Sequence, residues 1–372
     1  MGKIPKRYFE DISKKSEWRK FTMSSNKESK IEEKRSYAFD LDTEEEDAMN
    51  HLEKYGFVVI KECMSRLEVE DAVSELWIDL EKQNEGLKRN DPSTWDACWF
   101  KSKQPCAGAP GLLPSLAQSS GAWKVRGQSK VKRSFASIWK TDDLITSMDC
   151  VIAWRPWWMN KKWTPRTEGL HIDQNPFSKP NLETVQGTPY DSYSHSSFHS
   201  HPYSHMMIGM VPLHKVTAQT GGLEVVPFSH LPDAKEAYKK KYPNKKCAGD
   251  WCTLTSGCEL GCKRMLVLAN PGDLILWDSR TIHGGKVGTG VFKRKNKRKK
   301  ADLARLSVTV CMTQKSRASK EVLIRRRTGF KKGECFNHTP HEAGTSSGTI
   351  RCKIHKDYKP IELTKTQLEL LG

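Results

Sequence analysis

Two stretches decide how this sequence is read. They are Leu170-His171-Ile172-Asp173-Gln174 and Asn270-Pro271-Gly272-Asp273-Leu274-Ile275-Leu276-Trp277-Asp278-Ser279-Arg280-Thr281-Ile282-His283-Gly284-Gly285. In the first, His171 and Asp173 stand two residues apart, so on a strand both side chains leave the same face. In the second, a Pro-Gly-Asp turn leads into the apolar run Leu274–Trp277, a short strand aimed at His283. Further on, Arg305-Leu306-Ser307-Val308-Thr309-Val310 alternates with period two, which puts Arg305, Ser307 and Thr309 on one face. The pattern predicts strands remote in sequence that bring a His-x-Asp pair, a second His and an Arg together.

Two imidazoles and one carboxylate on one face of an octahedron leave three positions open, the donor set of mononuclear non-haem Fe(II) oxygenases. His171, Asp173 and His283 are therefore the expected Fe(II) ligands. Two open positions suit a chelating 2-oxo acid, and the third suits O2. The guanidinium of Arg305 can hold a carboxylate through two parallel bonds, and Ser307 can add a third donor. That is what the far carboxylate of 2-oxoglutarate needs. A lone His-x-Asp also arises by chance on surface loops, and a strand arginine is often an ordinary salt-bridge partner. Here it is the order of the pieces that carries the reading.

The sequence resembles the phytanoyl-CoA dioxygenase family of Fe(II)/2-oxoglutarate oxygenases. The resemblance runs from Tyr55-Gly56-Phe57-Val58-Val59-Ile60 through Phe135-Ala136-Ser137-Ile138-Trp139-Lys140-Thr141-Asp142-Asp143-Leu144 and His171-Ile172-Asp173-Gln174-Asn175-Pro176. It continues through Thr220-Gly221-Gly222-Leu223-Glu224-Val225-Val226-Pro227-Phe228-Ser229-His230 to the His283 stretch, and ends near Thr313. It implies a mainly β fold with helices: a double-stranded β-helix (jelly-roll, cupin-like) barrel flanked by N-terminal helices. It also implies that His171, Asp173 and His283 hold iron, that Arg305 with Ser307 holds 2-oxoglutarate, and that Gln186 faces the co-substrate. The implied reaction is hydroxylation of a C–H bond of a small organic substrate, with succinate and CO2 as co-products and ascorbate as a candidate reductant. Asp173 fills the position a halide would need, which disfavours halogenation. Two inserts depart from the family pattern: a Ser/His/Tyr-rich one after Val185-Gln186-Gly187, and a basic one between His283 and Arg305.

The remaining chain is read as scaffold. Its 372 residues suffice for one large domain. Residues 1–36, rich in Lys, Ser and Glu, read as a disordered tail. Residues 37–325 are expected to form the oxygenase domain, and 326–372 a C-terminal extension. Thr43–Glu46 and Ser65–Glu68 read as capping boxes opening two helices, with the strand Phe57–Ile60 between them. Trp95, Trp99 and Trp123 are expected to pack an irregular covering over Pro92–Gly127. A helix is expected over Lys130–Trp139, a second from Thr141 over Asp143–Ser147, then a strand at Val151–Trp154. Met206–Val211 and Leu223–Val226 are expected to pair, followed by a surface helix over Pro232–Tyr242.

Composition narrows the setting. No leader-like apolar core and no run long enough to span a bilayer is present. Eleven scattered cysteines point to reduced thiols and a cytoplasmic or nuclear, not secreted, protein. The net charge of +18 is high for a metabolic enzyme, and Lys293–Lys300 holds seven cations in eight residues. That insert reads as a polyanion contact, a nuclear localisation signal or a plain solvated loop. It keeps open a nucleic-acid- or chromatin-associated oxygenase, and a non-catalytic β-barrel binding protein is the other alternative. Two clusters invite structural zinc: Cys247, Cys252, Cys258 and Cys262, and the better-spaced Cys335, His338, Cys352 and His355. The histidines of Thr188–His205 read as a polar loop at the barrel mouth.

Overall fold

In the computed structural model, the structure describes residues 36–95, 111–167, 169–174, 206–245, 252–254, 262–292, 302–344 and 358–372. Residues 1–37 and 38–372 form separate units, and everything below concerns the second. Residues 1–35 of the expected tail, Trp99, Gln186, the Thr188–His205 loop, Cys247, Cys258, the 293–300 insert, Cys352 and His355 lie outside the described residues.

Thirteen described strands run in chain order. They are β1 (Ala38–Phe39), β2 (Phe57–Ile60), β3 (Leu112–Leu113), β4 (Leu144–Thr146), β5 (Val151–Trp154), β6 (His171–Ile172), β7 (Met207–Pro212), β8 (Gly221–Val225), β9 (Cys252–Thr253), β10 (Met265–Leu266), β11 (Leu274–Asp278), β12 (His283–Val287) and β13 (Arg305–Gln314). Among the described residues the α-helices are α1 (Glu45–Tyr55), α2 (Arg66–Gln83), α3 (Ser120–Arg126), α4 (Ser129–Trp139), α5 (Pro232–Lys241), α6 (Lys320–Lys331) and α7 (Lys365–Leu371).

The strands form two sheets. The larger has the order β1-β2-β11-β7-β13-β5-β3, with β4 also paired to β13; the smaller has the order β10-β8-β12-β6-β9. This is the two-sheet architecture of a double-stranded β-helix, with α1 and α2 on the N-terminal side as expected. Strands β2, β7, β8 and β11 are buried throughout; β2 is an unbroken apolar run, whereas β8 buries Glu224 and β11 ends on buried Asp278.

Local chemistry explains several boundaries. Ser65 opens α2 with a full capping box: its hydroxyl accepts from the Glu68 N–H, and Glu68 accepts from the Ser65 N–H at 2.7 Å, a pairing worth about 1 kcal/mol. The core face of α2 is Val69, Ala72, Val73, Leu76, Trp77 and Leu80, as the helical spacing predicts. The Thr43 box does not form. Glu44 instead accepts from the Asp40 N–H at 2.7 Å and pairs with Lys61 at 3.2 Å, so α1 starts without a side-chain cap. Gly56 ends α1 in the left-handed region, as expected.

Two other expectations are corrected. Asp143–Ser147 is not helical: Leu144–Thr146 is strand β4, paired with Met312–Gln314 of β13. Cross-strand pairing there outweighs the turn signal of Thr141, whose hydroxyl accepts from the Asp143 N–H. Strands β7 and β8 do not pair. They lie in opposite sheets, β7 between β11 and β13 and β8 between β10 and β12, because successive runs of such a barrel alternate between its walls.

Trp95 and Trp123 are core residues. Trp95 packs between Trp77 and Trp163, and Trp123 meets Phe330 of α6 edge-on. Residues after β13 return to the barrel. Arg326 of α6 is buried and donates to the carbonyls of Thr146, Pro340, Leu370 and Leu371, tying β4 to α7. Cys252 is disulfide-bonded, against the expectation of reduced thiols. None of Cys63, Cys150, Cys262, Cys311 and Cys335 is in a disulfide, so its partner lies outside the described residues. A sulfur in a disulfide is not a thiolate ligand, so the four-cysteine zinc reading fails at Cys252. No helix among the described residues is long and apolar enough to cross a membrane.

Candidate metal centre

Strands β6 and β12 of the smaller sheet are antiparallel neighbours, and His171 stands directly opposite His283 in their register. The backbones approach closely there. A Cβ on Gly284 would lie 2.4 Å from the Gly169 carbonyl oxygen, so only glycine fits beside His283. The rings of His171 and His283 come within 4.4 Å of each other. Asp173, just past β6, is held by its N–H bond to the Ser279 carbonyl at 3.1 Å. The neighbouring Gln174 accepts from the Ser279 hydroxyl at 3.0 Å.

One ligand atom from each of His171, Asp173 and His283 falls within 4.8 Å of the others, the only such group of three among the described residues. The Asp173 carboxylate faces both imidazoles, with Oδ2 3.1 Å from His283 Nε2 and Oδ1 3.6 Å from His171 Nε2. On the far side of each ring Nδ1 meets a backbone carbonyl: Thr281 at 2.8 Å for His283, Gly169 at 3.0 Å for His171. A carbonyl can only accept, so Nδ1 carries the proton and Nε2 presents its lone pair inward. This donor set fits a divalent iron with open positions.

The electrostatics agree with ligation. Burial pulls His171 down to about 4, helped by His283 beside it, so the ring is neutral at physiological pH. Burial pushes the Asp173 carboxyl up, but His283, His338 and His171 together outweigh it and hold the group well below the usual carboxylate range. Asp173 is thus an anion beside the neutral ring of His171.

Arg305 opens β13 in the larger sheet, opposite Trp154 of β5. Its guanidinium lies 4.6 Å from the centre of the Trp154 ring and donates to Met210 Sδ at 3.1 Å. Burial lowers it to about 10, so it stays a cation. Its Nε is buried without a hydrogen-bond partner, and so is the hydroxyl of Ser307 two residues on. Both are on the same face of β13 and both lack the acceptor they could bond. Gln186 lies outside the described residues.

Sequence reasoning missed several supporting residues. Trp154 was read as a strand residue, with no signal that it would carry Arg305. Ser279 and Gly284 lay in the quoted stretch but gave no hint of holding Asp173 and admitting Gly169. His338 was read as a zinc ligand, yet it lies close enough to Asp173 and His171 to act on both. Cys335 is buried, with its thiol directed at the Phe336 carbonyl at 3.6 Å.

Residues 116–295 match the family model described as phytanoyl-CoA dioxygenase. The chain carries a domain of the phytanoyl-CoA dioxygenase family. The matched span holds His171, Asp173 and His283 and stops short of Arg305. Among curated relatives, the Ava biosynthesis cluster protein O of Aspergillus versicolor is 26% identical over 301 residues, 79% of this chain and 86% of that protein. A Dictyostelium discoideum protein named as a phytanoyl-CoA dioxygenase is 30% identical over 128 residues, 34% of this chain and 36% of its own length. A solved structure from Salmonella typhimurium LT2, named as an oxidoreductase, superposes with a TM-score of 0.57 at 12% identity, covering 90% of this chain and 86% of that one. At that identity the likeness speaks for the fold alone. With its family domain and its His-Asp-His donor set, the chain is a non-haem, 2-oxoglutarate-dependent oxygenase.

Proposed function

We propose that this chain hydroxylates a C–H bond of a small organic molecule, with 2-oxoglutarate as co-substrate and succinate and CO2 as co-products. The observation that carries the reading is the pairing of two half-sites. Three metal donors converge on the smaller sheet, and on the larger a buried cation stands beside a buried hydroxyl, each with unused hydrogen-bonding capacity. A carboxylate would satisfy Arg305 Nε and Ser307 Oγ together. The name of the Aspergillus relative, which places that protein in a biosynthesis cluster, supports a small-molecule substrate.

His171, Asp173 and His283 would hold Fe(II), and Arg305 with Ser307 would hold the far carboxylate of 2-oxoglutarate. When bound, iron and 2-oxoglutarate supply the activation of O2 and the oxidising power. The chain orients them. Thr281 and Gly169 keep the Nδ1 protons in place, Ser279 anchors Asp173, and the Trp154 face and Met210 sulfur hold the guanidinium of Arg305 in position. Burial of Asp173, His283, Arg305 and Ser307 limits their access to bulk water. We take 37–325 as the oxygenase domain and 326–372 as its extension, and a cytoplasmic or nuclear setting as the working reading.

The test is uncoupled turnover. Protein purified without oxygen, given Fe(II), ascorbate and 2-oxoglutarate and then O2, is expected to form succinate, and His171→Ala is expected to form none. Succinate formation should then rise when small molecules are screened and the true substrate is met. Absence of both succinate and 2-oxoglutarate binding in the wild type would overturn the proposal in favour of a barrel that only binds.

A further inference from the structure

Two segments of the barrel pack on each other beyond the seam of β6 and β12. One covers residues 155–167 after β5, and the other covers 284–292 along and beyond β12. The ring of Trp158 lies 5.1 Å from Trp157 and 4.6 Å from Phe292, and Gly290 lies against Trp157 and Trp158. On the outside of this contact Trp158 is 37% exposed, Met159 53% and Val291 72%. The other large apolar side chains exposed to this degree among the described residues, Leu67, Ile78, Ile324 and Leu368, lie on helices. Only here do three of them belong to one loop pair.

The two segments themselves carry charge of one sign, although Glu168 follows the first in the sequence. Residues 155–167 carry Arg155, Lys161, Lys162 and Arg166 and no Asp or Glu. Residues 284–292 carry Lys286 and no acid, and the seven cations of 293–300 follow directly in the sequence. Lys161, Lys162, Arg166 and Lys286 are exposed.

A partner for such a surface must present dense negative charge over an apolar layer. A second copy of the chain would bring like charge to like charge. Single-stranded nucleic acid is anionic and stacks on aromatic faces, but Trp157 and Phe292 crowd the Trp158 ring, and Met159 and Val291 offer no stacking platform. An anionic bilayer offers both requirements at matching depth: Trp settles at the headgroup level, aliphatic side chains enter below it, and Lys and Arg meet the headgroups. We propose that loops 155–167 and 284–292 form a peripheral binding surface for an anionic membrane. Trp158, Met159 and Val291 enter the headgroup layer, and Lys161, Lys162, Arg166 and Lys286 hold acidic headgroups.

The experiment is co-sedimentation of the full chain with phosphatidylcholine vesicles, with and without about 30 mol% phosphatidylserine, at low and high salt. The bound fraction is expected to be about ten-fold higher on the anionic vesicles and to fall at high salt. Met159→Asp combined with Val291→Asp, both at exposed positions, is expected to cut binding about ten-fold. Lys161→Glu combined with Lys162→Glu should do the same, and both pairs should leave uncoupled 2-oxoglutarate turnover unchanged. Equal binding to neutral and anionic vesicles, or wild-type binding by the Met159/Val291 variant, would overturn the proposal. So would salt-sensitive binding to a single-stranded oligonucleotide with none to anionic vesicles.

Discussion

The two sheets contribute to the site in opposite states of readiness. On the smaller sheet each donor is already held in place: His283 and His171 have their outer nitrogens on backbone carbonyls, and Asp173 sits between them. On the larger sheet Arg305 and Ser307 are fixed by packing but keep polar atoms unbonded. The first is a template whose three donors already face one another. The second is an incomplete hydrogen-bond network, and leaving a buried polar group unmet costs about 1–3 kcal/mol. The structure thus spends stability on the co-substrate side and little on the metal side.

Removing a donor from the finished side has the largest expected effect. Asp173→Ala leaves two imidazoles and no anion, and should lower uncoupled succinate formation below detection, read together with iron content. Near-normal iron and turnover would remove Asp173 from the site. Next comes the incomplete side. Arg305→Met should raise the Kd for 2-oxoglutarate about 10- to 100-fold, the loss of a charged hydrogen-bonded pair of about 1.5–3 kcal/mol. Yet it should not lower, and is expected to raise, the melting temperature of the ligand-free protein, because a buried cation without a counter-charge is replaced by an apolar chain. A large loss of stability would mean that Arg305 is structural. Ser307→Ala should weaken 2-oxoglutarate binding only about 3- to 10-fold, as one neutral donor does, with iron binding unchanged.

The smallest effect concerns pH. Burial holds His51, His171 and His230 near 4 in the folded chain, against an ordinary value of about 6.5. In the unfolded chain these rings take up protons as pH falls through 6.5, whereas in the fold they do not until about 4. The unfolded state therefore binds more protons in that window, and metal-free stability should fall from pH 6.5 to 4. Thermal melts across that range check this, and a flat profile would contradict it. His230→Gln should flatten part of the slope.

Much of the site could be read from the sequence because strand geometry is simple. The two-residue spacing of His171 and Asp173, and of Arg305 and Ser307, is meaningful as soon as each run is a strand. What could not be read depends on partners distant in sequence. Strand β6 is only two residues long, and nothing in Leu170–Gln174 announces that β12 will lie beside it. Leu144–Thr146 became a strand because Met312–Gln314 came alongside, despite a local turn signal. Helix α3 was hidden by its small residues. Gly121 is needed there because a Cβ would lie 2.6 Å from the Ala72 carbonyl of α2, a packing reason invisible to local propensity. The unmet bonds of Arg305 and Ser307 are a property of the folded interior alone.

The opposed positions of His171 and His283 have a consequence for assembly. A strand of two residues has little to fix its alignment, and a slip of one place would turn His171 to the opposite face of the sheet. An ion held by His171, Asp173 and His283 closes a loop of more than one hundred residues and is satisfied in only one alignment. The metal would then act as a proofreader of this seam, and chains that fold before it arrives would be the ones liable to lock in the wrong pairing.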